Sequence, residues 1–436
     1  MRHRMPPMFR ALGQRNYRLW ATADLVSVTG SWMQVLALNW LVLDRTGSAA
    51  SVGLSVLLQA LPALLLGSWA GALADRFPPQ RVIRYAQSTH AVLALAMAAL
   101  AWGDGPLSGF YLLSVLSGLV GVFDGPALGR FGSQVVGPAD LGNALALGSV
   151  LNSAGRILGM SLAGVLVGVL GEPVLFLGNA LSFVAVLVAL ARIRPELLHP
   201  LAVSPPERAG IRAGLRYLRA DHRVLVLFLL GFALSSLGRN YQVTMAAMSQ
   251  GPLNAGAAGY GLLSTVFAVG TVLGGLVAAQ RPALTLRLLL VTAATTGMLQ
   301  AVSGLSNGVF AFATLLIPIA AGAVLIDTTM STRVQLDTAE EMRGRVLSAQ
   351  GMVSAGAGAV GGPLLGWLCE DIGPAVTLHL AGAAVILATL VAWFALTRTA
   401  ARPTPAPQAR ATAEPAPAEV APADVAAPTP AYAATS

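Results

Sequence analysis

Five charged side chains lie deep within long apolar stretches of the sequence: Asp24, Asp124, Arg156, Arg239 and Asp327. If those stretches cross a membrane, each charge costs at least about 2.5 kcal/mol at mid-bilayer, and residues that bear such a cost usually serve a function. Burial disfavours the charged form of a carboxylate, whereas a nearby arginine favours it. A buried carboxylate whose arginine partner approaches and withdraws can therefore bind and release a proton.

The arginine of the fifth apolar stretch needs a partner inside the protein. Arg156 lies roughly fourteen residues into that stretch, about 21 Å along a helix, which is too deep for its side chain to reach water. We expect it to pair with Asp24 or Asp124. As carriers of a coupling proton we rank Asp24 first, Asp327 second and Asp124 third. A purely structural ion pair is the alternative for all five charges.

Polar residues of these stretches are candidates for lining a substrate cavity: Gln34, Asn39, Asn152, Arg156, Arg239 and Asn240. His90 and His379 have no second histidine or carboxylate at ligand spacing, so we expect them to pack or form hydrogen bonds. The single cysteine, Cys369, excludes a thiolate cluster, and the lack of lysine excludes a Walker A loop. No nucleophile and base are suitably spaced. We therefore expect no enzyme, no metal site and no cofactor.

The composition requires a membrane around these stretches. Of the 436 residues, 55% are apolar and 11% are charged, and the mean hydropathy is +0.70. A water-facing surface needs about a quarter to a third of its residues charged. About 20 apolar residues suffice to cross a bilayer as a helix. The sequence predicts twelve such spans, near 19–43, 50–73, 82–102, 108–130, 143–170, 174–192, 223–248, 259–280, 285–305, 309–332, 346–369 and 375–396.

The arginines predict the orientation of the spans. With the N-terminus inside, the inner loops and the tail hold nearly all the arginines, whereas the outer loops hold only Arg45. Basic loop residues remain on the cytoplasmic side, so we expect both termini to be cytoplasmic and the first span to be retained. Topology and contact with anionic lipid account for the net charge of +8. We therefore expect no nucleic-acid partner.

An internal repeat divides the spans into six and six. Asp124 precedes Arg130 by six residues, and Asp327 precedes Arg333 by six residues, 203 positions later. In transporters built from parallel repeats, the substrate site lies between the halves. The predicted domains are an N-terminal half, a cytoplasmic linker, a C-terminal half and a disordered Ala/Pro-rich tail: 1–194, 195–222, 223–397 and 398–436.

Four segments of the sequence resemble the major facilitator superfamily. The loop after the second span, GALADRFPPQR, is similar to the signature loop of that superfamily. The opening RNYRLWATADLVSVTGSWMQVLALNWLVLDRTGS, DGPA at 124–127 and RGRV at 343–346 resemble the bacterial branch of enterobactin exporters and macrolide efflux proteins. The resemblance covers roughly residues 9–397. It implies an all-α membrane protein of the bacterial inner membrane, with twelve transmembrane helices in two parallel six-helix halves.

The signature loop predicts a conformational latch. Gly67 and Gly71, four residues apart, favour a close approach of two helices, and Asp75 follows at the cytoplasmic edge. The resemblance implies that Asp75 faces the start of the eleventh helix, where a carboxylate near the helix N-terminus contributes about 0.3 to 2 kcal/mol. Such a latch closes only when the cytoplasmic ends of the halves meet. The predicted latch residues are Gly71, Asp75, Arg76, Arg81, Arg343 and Arg345; an ordinary basic loop that sets topology is the alternative.

The expected function is export of a small, largely apolar organic molecule (a drug, natural product or siderophore) by alternating access, driven by proton antiport. Export rather than import follows from the resemblance alone. A nutrient importer or uniporter of the same fold is the first alternative. A non-transporting membrane receptor or assembly partner is the second, although the outer loops are too short to form a receptor module. The expected partners are the substrate, protons and membrane lipid, and we expect a monomer.

Overall fold

The computed structural model describes residues 7–74, 76–137, 140–200, 222–238, 240–281, 283–336 and 343–400. Within these ranges every long regular element is an α-helix. The helices are α1 (Arg15–Thr46), α2 (Ala49–Ala74), α3 (Pro79–Trp102), α4 (Leu107–Gln134), α5 (Leu141–Leu170), α6 (Glu172–Arg192), α7a (His222–Gly238), α7b (Tyr241–Gln250), α8 (Gly256–Gln280), α9 (Leu286–Ser303), α10 (Val309–Leu336), α11 (Arg343–Asp371) and α12 (Pro374–Ala400). Residues 1–399 form one compact unit. The second unit, 400–436, is described only at its first residue.

The predicted all-α membrane fold is confirmed. Eleven helical segments of the described residues are long and apolar enough to cross a membrane, counting α7a and α7b as one span. The twelfth span is α3, which has 24 residues but is less apolar because it carries Arg81, Arg84, Gln87 and His90. The tail from 401 onward, which the sequence predicts to be disordered, lies outside the described residues.

The seventh span, predicted near 223–248, is confirmed by an apolar segment over Arg223–Gln250, but this segment consists of two helices. The helix ends at Gly238 and resumes at Tyr241. Side-chain amides bind the carbonyl groups that the break leaves without helical partners: Asn240 Nδ2 donates to Ser236 O at 3.1 Å, and Gln300 Nε2 donates to Leu237 O at 3.0 Å. A membrane helix tolerates a break only where its backbone groups find such partners.

Helix packing follows the same pattern in both parts of the chain. In the first part α1 packs on α5, α2 on α4, and α3 on α4 and α6. In the second part α7a packs on α11, α8 on α10, and α9 on α10 and α12. Two seams join the parts, one between α2 and α11 and the other between α5 and α8. This repetition is what two six-helix halves would produce, and the boundaries of the halves stay a prediction.

The two ends of the helix bundle have different cores. At the end where α1 meets α2, one cluster joins helices of both parts, including 36–43 of α1 and 241–248 of α7b. We call this the sealed end; it is the predicted outer face. At the opposite end, which we call the open end, the first part has its own cluster around Tyr17 and Phe131, and the second has another around Leu227 and Met330. Among the described residues, the halves therefore share a buried core at the sealed end and have separate cores at the open end.

Glycines along both seams show the same difference. Near the sealed end, a Cβ atom at Gly53 would overlap the backbone of Gly362, and one at Gly164 would overlap the backbone of Gly261. Toward the open end, a Cβ at Gly67 of α2 or at Gly351 of α11 would meet no atom within 4 Å. At Gly67, where the sequence predicts a close helix approach, the described atoms make no such contact in this conformation.

Candidate functional site

A cavity of about 420 Å³ lies between α7a, α10 and α11, on the open-end side of the second half. Its wall is mainly apolar and includes Leu227, Phe228, Leu234, Ile326, Met330 and Val353. This volume suits a small organic ligand, because ligand pockets are typically about 300–1,000 Å³.

A few polar groups interrupt the apolar wall. Asp327 of α10 is half-buried and lines this cavity together with Ser235, Ser331, Gln350 and Ser354. The Oε1 atom of Gln350 is buried and has no hydrogen-bond partner among the described residues. The cavity therefore offers one acid and several hydrogen-bonding groups to a mostly apolar ligand. Of the three predicted proton-coupling acids, Asp327 is the one that lines it.

Asp124 lies in a different environment, between α3 and α4. Its Oδ2 accepts a hydrogen bond from Gln87 Nε2 at 2.8 Å and is 3.9 Å from His90 Nε2. Its Oδ1 is buried without a partner in the described structure. The His90 ring stacks on Phe183 of α6, with the ring centroids 5.1 Å apart. Residue spacing along the chain does not reveal this contact, because Gln87 and His90 reach Asp124 from a neighbouring helix.

Asp24 is half-buried on α1. Within the described ranges its carboxylate makes no ion pair and no hydrogen bond. Tyr17, two helical turns earlier, donates its hydroxyl to Ala144 O at 2.9 Å instead. Asp24 therefore remains a proton-coupling candidate without a partner in this conformation.

Arg156 does not form the expected ion pair with Asp24 or Asp124. Its Nη2 donates to Thr271 Oγ1 of α8, and its guanidinium carbon lies 5.7 Å from the centroid of the Trp32 ring. Asp24 precedes Trp32 by eight residues, which is about 12 Å along α1, so the guanidinium beside Trp32 lies away from Asp24 in this conformation. Asp124 faces α3 rather than α5. The guanidinium thus joins the two halves across the α5–α8 seam.

Most of the other predicted cavity residues serve helix packing here. Gln34 Oε1 accepts from Asn179 Nδ2 at 2.8 Å, and Asn39 Nδ2 donates to the Tyr260 hydroxyl at 3.4 Å within the sealed end. Asn240 caps the break in the seventh span. Asn152 is exposed on α5, one turn from Arg156 toward the open end. Arg239 lies outside the described residues.

The predicted latch is only partly described. Gly71 belongs to α2, and Arg76 and Arg81 are exposed. Asp75 lies outside the described residues, as do the side chains of Arg343 and Arg345 on α11. The latch therefore stays a prediction.

Comparison with known proteins gives matches along nearly the whole chain. A family model described as transmembrane secretion effector matches residues 8–422. The staphyloferrin A transporter of Staphylococcus aureus is 24% identical over 255 residues, which are 57% of this chain and 63% of that protein. The multidrug efflux pump Tap of Mycobacterium tuberculosis is 28% identical over 207 residues, 45% of this chain and 49% of that protein. The matched regions thus span half to two thirds of these relatives.

Among solved structures, the nucleoside transporter NupG superposes with a TM-score of 0.70 at 14% sequence identity. The superposition covers 88% of this chain and 99% of NupG. At this level of identity the likeness concerns the fold.

Proposed function

Because the chain belongs to the transmembrane secretion effector family of the major facilitator superfamily, we propose that it is a secondary active exporter of a small, largely apolar organic molecule. Membership makes it a transporter of the major facilitator type. Export is supported by the name of one relative, a multidrug efflux pump. The other relative, a transporter of staphyloferrin A, supports a natural product as cargo. A drug, natural product or siderophore is the proposed cargo.

The observation that carries the proposal is the cavity on the open-end side of a bundle whose other end is sealed. One core joins the halves at the sealed end, and two separate cores flank the open end. If the open end is cytoplasmic, as the arginines predict, the cavity receives its cargo from the cytoplasm. Release to the outside then requires the sealed end to part and the open end to close.

Proton antiport is the proposed driving reaction, with Asp24, Asp327 and Asp124 as the candidate carriers. Asp327 now ranks first, because it lines the cavity in which a proton and a cargo molecule can exclude each other. A cargo with a cationic or donor group would bind the ionised carboxylate and be displaced when the carboxylate is protonated. The apolar wall contributes affinity in proportion to the buried area of the cargo.

Transport into inverted membrane vesicles tests the proposal. An inside-acid pH gradient would be imposed, and ethidium, erythromycin and an iron-free siderophore would each be offered outside. We expect at least one of them to accumulate inside while a pH dye reports alkalinisation of the lumen, and we expect Asp327→Asn to abolish both signals.

Other outcomes would overturn specific parts of the proposal. Accumulation that requires the opposite vesicle orientation would indicate an importer, and movement indifferent to the pH gradient would indicate a uniporter. Failure of all three compounds, with protein present and folded, would contradict the proposed cargo class.

A further inference from the structure

We infer that Asp124 and His90 form a reversible proton-binding pair inside the first half, separate from the cavity that Asp327 lines. The Asp124 Oδ2 and His90 Nε2 atoms are 3.9 Å apart. Gln87, one turn before His90 on α3, donates a hydrogen bond to the same Asp124 oxygen. Only 8% of the Asp124 side chain and 14% of the His90 side chain are exposed. The use of the Asp124–His90 pair in transport rests on the proposed function, whereas proton binding by the pair does not.

The hydrogen bonds around Asp124 fit a bound proton better than a bare anion. An ionised carboxylate accepts at both oxygens, yet in the described structure only Oδ2 has a donor. Asp124 Oδ1 and Gln87 Oε1 are both buried acceptors without partners. An unpaired anion at this depth costs several kcal/mol. One proton, on the carboxyl group or on the imidazole, makes the net charge of the pair zero.

In the described parts of the helices around Asp124, no other charged group neutralises its carboxylate in place of that proton. The sequence of α2 has no charged residue, and α6 has charges only at its ends, Glu172 and Arg192. The acid of α1 nearest mid-span, Asp24, makes no ion pair within the described ranges.

The remaining charges on the two helices that form the pair are also too distant. Arg81 and Arg84 lie in the first turns of α3 and are exposed, and Arg130 follows Asp124 on α4 by six residues. None of the three forms an ion pair with Asp124. Among the described residues, the imidazole of His90 is therefore the cation-forming group within 4 Å of Asp124.

The second half shows that the fold does not need polar residues at these positions. Leu290 and Ala293 occur 203 positions after Gln87 and His90, and both are buried in the apolar core of the second half. A structural role alone would thus be filled by apolar residues, which pack as well without the cost of burying polar groups. Gln87 and His90 of the first half instead place an amide and an imidazole beside Asp124, and Leu290 and Ala293 of the second half offer no such groups.

Small helix movements can change the proton affinity of the pair. The separation of 3.9 Å exceeds a normal N–H···O distance by about 1 Å. If α3 and α4 shift by that amount, imidazolium and carboxylate form a charge-assisted hydrogen bond, and the proton moves from the carboxyl group to the imidazole nitrogen. Both arrangements can hold one proton, but the ion pair holds it more tightly than the separated pair. A conformational cycle that alternates between them would take up a proton from water when the helices close and return it to water when they part.

Infrared difference spectroscopy on the purified full chain in lipid nanodiscs tests this inference without any transported molecule. The C=O stretch of a protonated carboxyl group, identified by its shift in D₂O, would be followed during a pH titration. We expect Asp124→Asn to remove one carboxyl band. We expect His90→Gln to keep that band but to move its titration midpoint by about one pH unit, since the neighbouring titratable group is gone.

Asp44→Asn serves as the matched control, because Asp44 is exposed at the end of α1; it should leave the Asp124 band and its midpoint unchanged. If Asp124→Asn leaves every titrating carboxyl band in place, or if His90→Gln leaves the midpoint of the Asp124 band unmoved, the inference is overturned; bands from Asp24 and Asp327 would persist in either variant. If Asp124→Asn fails to fold, His90→Gln decides alone. A positive infrared result combined with failed vesicle transport would retain the proton site and reject the exporter.

Discussion

Asp124 and Asp327 occupy matching places in the two halves and have unlike surroundings. They are the eighteenth residue of α4 and the nineteenth of α10, so they lie at nearly the same depth. Asp124 is buried against Gln87 and His90 of α3. Asp327 lines a cavity of about 420 Å³. The repeat thus preserves the position of the acid along its helix, and the adjoining helices determine what the acid contacts.

The difference teaches that equal depth does not imply an equal role. In the first half the neighbouring helix supplies an amide and an imidazole, which contact the carboxylate directly. In the second half the corresponding positions are Leu290 and Ala293, and Asp327 faces α7a and α11 across the cavity. The contrast supports the proposals above, in which Asp327 exchanges cargo and a proton and Asp124 binds a proton without contacting cargo.

The largest expected effect follows from Asp327→Asn. The amide keeps the shape of the side chain and removes its charge, so substrate-driven proton movement in vesicles should be lost. Asp124→Asn should leave binding of the transported compound to detergent-solubilised protein near its normal value, because Asp124 does not line the cavity. Normal binding and coupling in Asp327→Asn would remove the distinction between the two acids.

A second prediction concerns stability. Asp124→Ala leaves the buried amide of Gln87 without its acceptor, which should lower the free energy of unfolding by about 1 to 3 kcal/mol. Asp327→Ala, at the wall of a cavity, should lower it less. Thermal unfolding of both variants, followed by the fluorescence of a dye that reacts with exposed thiols, would measure the difference. Equal melting temperatures would indicate that Asp124 is not held as described.

A third prediction sharpens the difference in access. A cysteine at Ser354, on the cavity wall, should react with a water-soluble maleimide at least about tenfold faster than a cysteine at Ser117, which is buried on α4. The reason is that a thiol must reach solvent to react. The native Cys369 is buried and would be replaced by alanine in both variants. Similar labelling rates would mean that the cavity is closed to water.

The smallest expected effect comes from filling the cavity. Gly231 lies on its wall, so Gly231→Leu should weaken binding of the transported compound by about 1 kcal/mol, or roughly fivefold. Gly168→Leu is the control, because Gly168 is exposed on α5 with no atom near its added Cβ. Equal binding constants in both variants would place the cargo elsewhere.

The sequence predicted the spans well and the contacts between them poorly, for a physical reason. Hydropathy averaged over about 20 residues locates a membrane helix, but it does not register the short break at Gly238 to Tyr241. The sequence identified Asp124 and Asp327 as acids within membrane spans. It did not identify Gln87 and His90 as neighbours of Asp124, because that contact depends on how α3 crosses α4. It also assigned Arg156 to an acid in its own half, whereas the seam places Thr271 closer.

The bond from Arg156 to Thr271 gives the two seams unequal resistance to opening. Glycine backbones are in close contact in both seams. The α5–α8 seam has in addition a hydrogen bond from a charged donor, Arg156. Such a bond is worth about 1.5 to 3 kcal/mol, and each 1.36 kcal/mol in a barrier changes a rate about tenfold. If the bond must break before the transition state of opening is reached, the rate at which the α5–α8 seam opens falls by roughly ten- to a hundredfold. The kinetic bottleneck of the cycle would then lie in a single side chain.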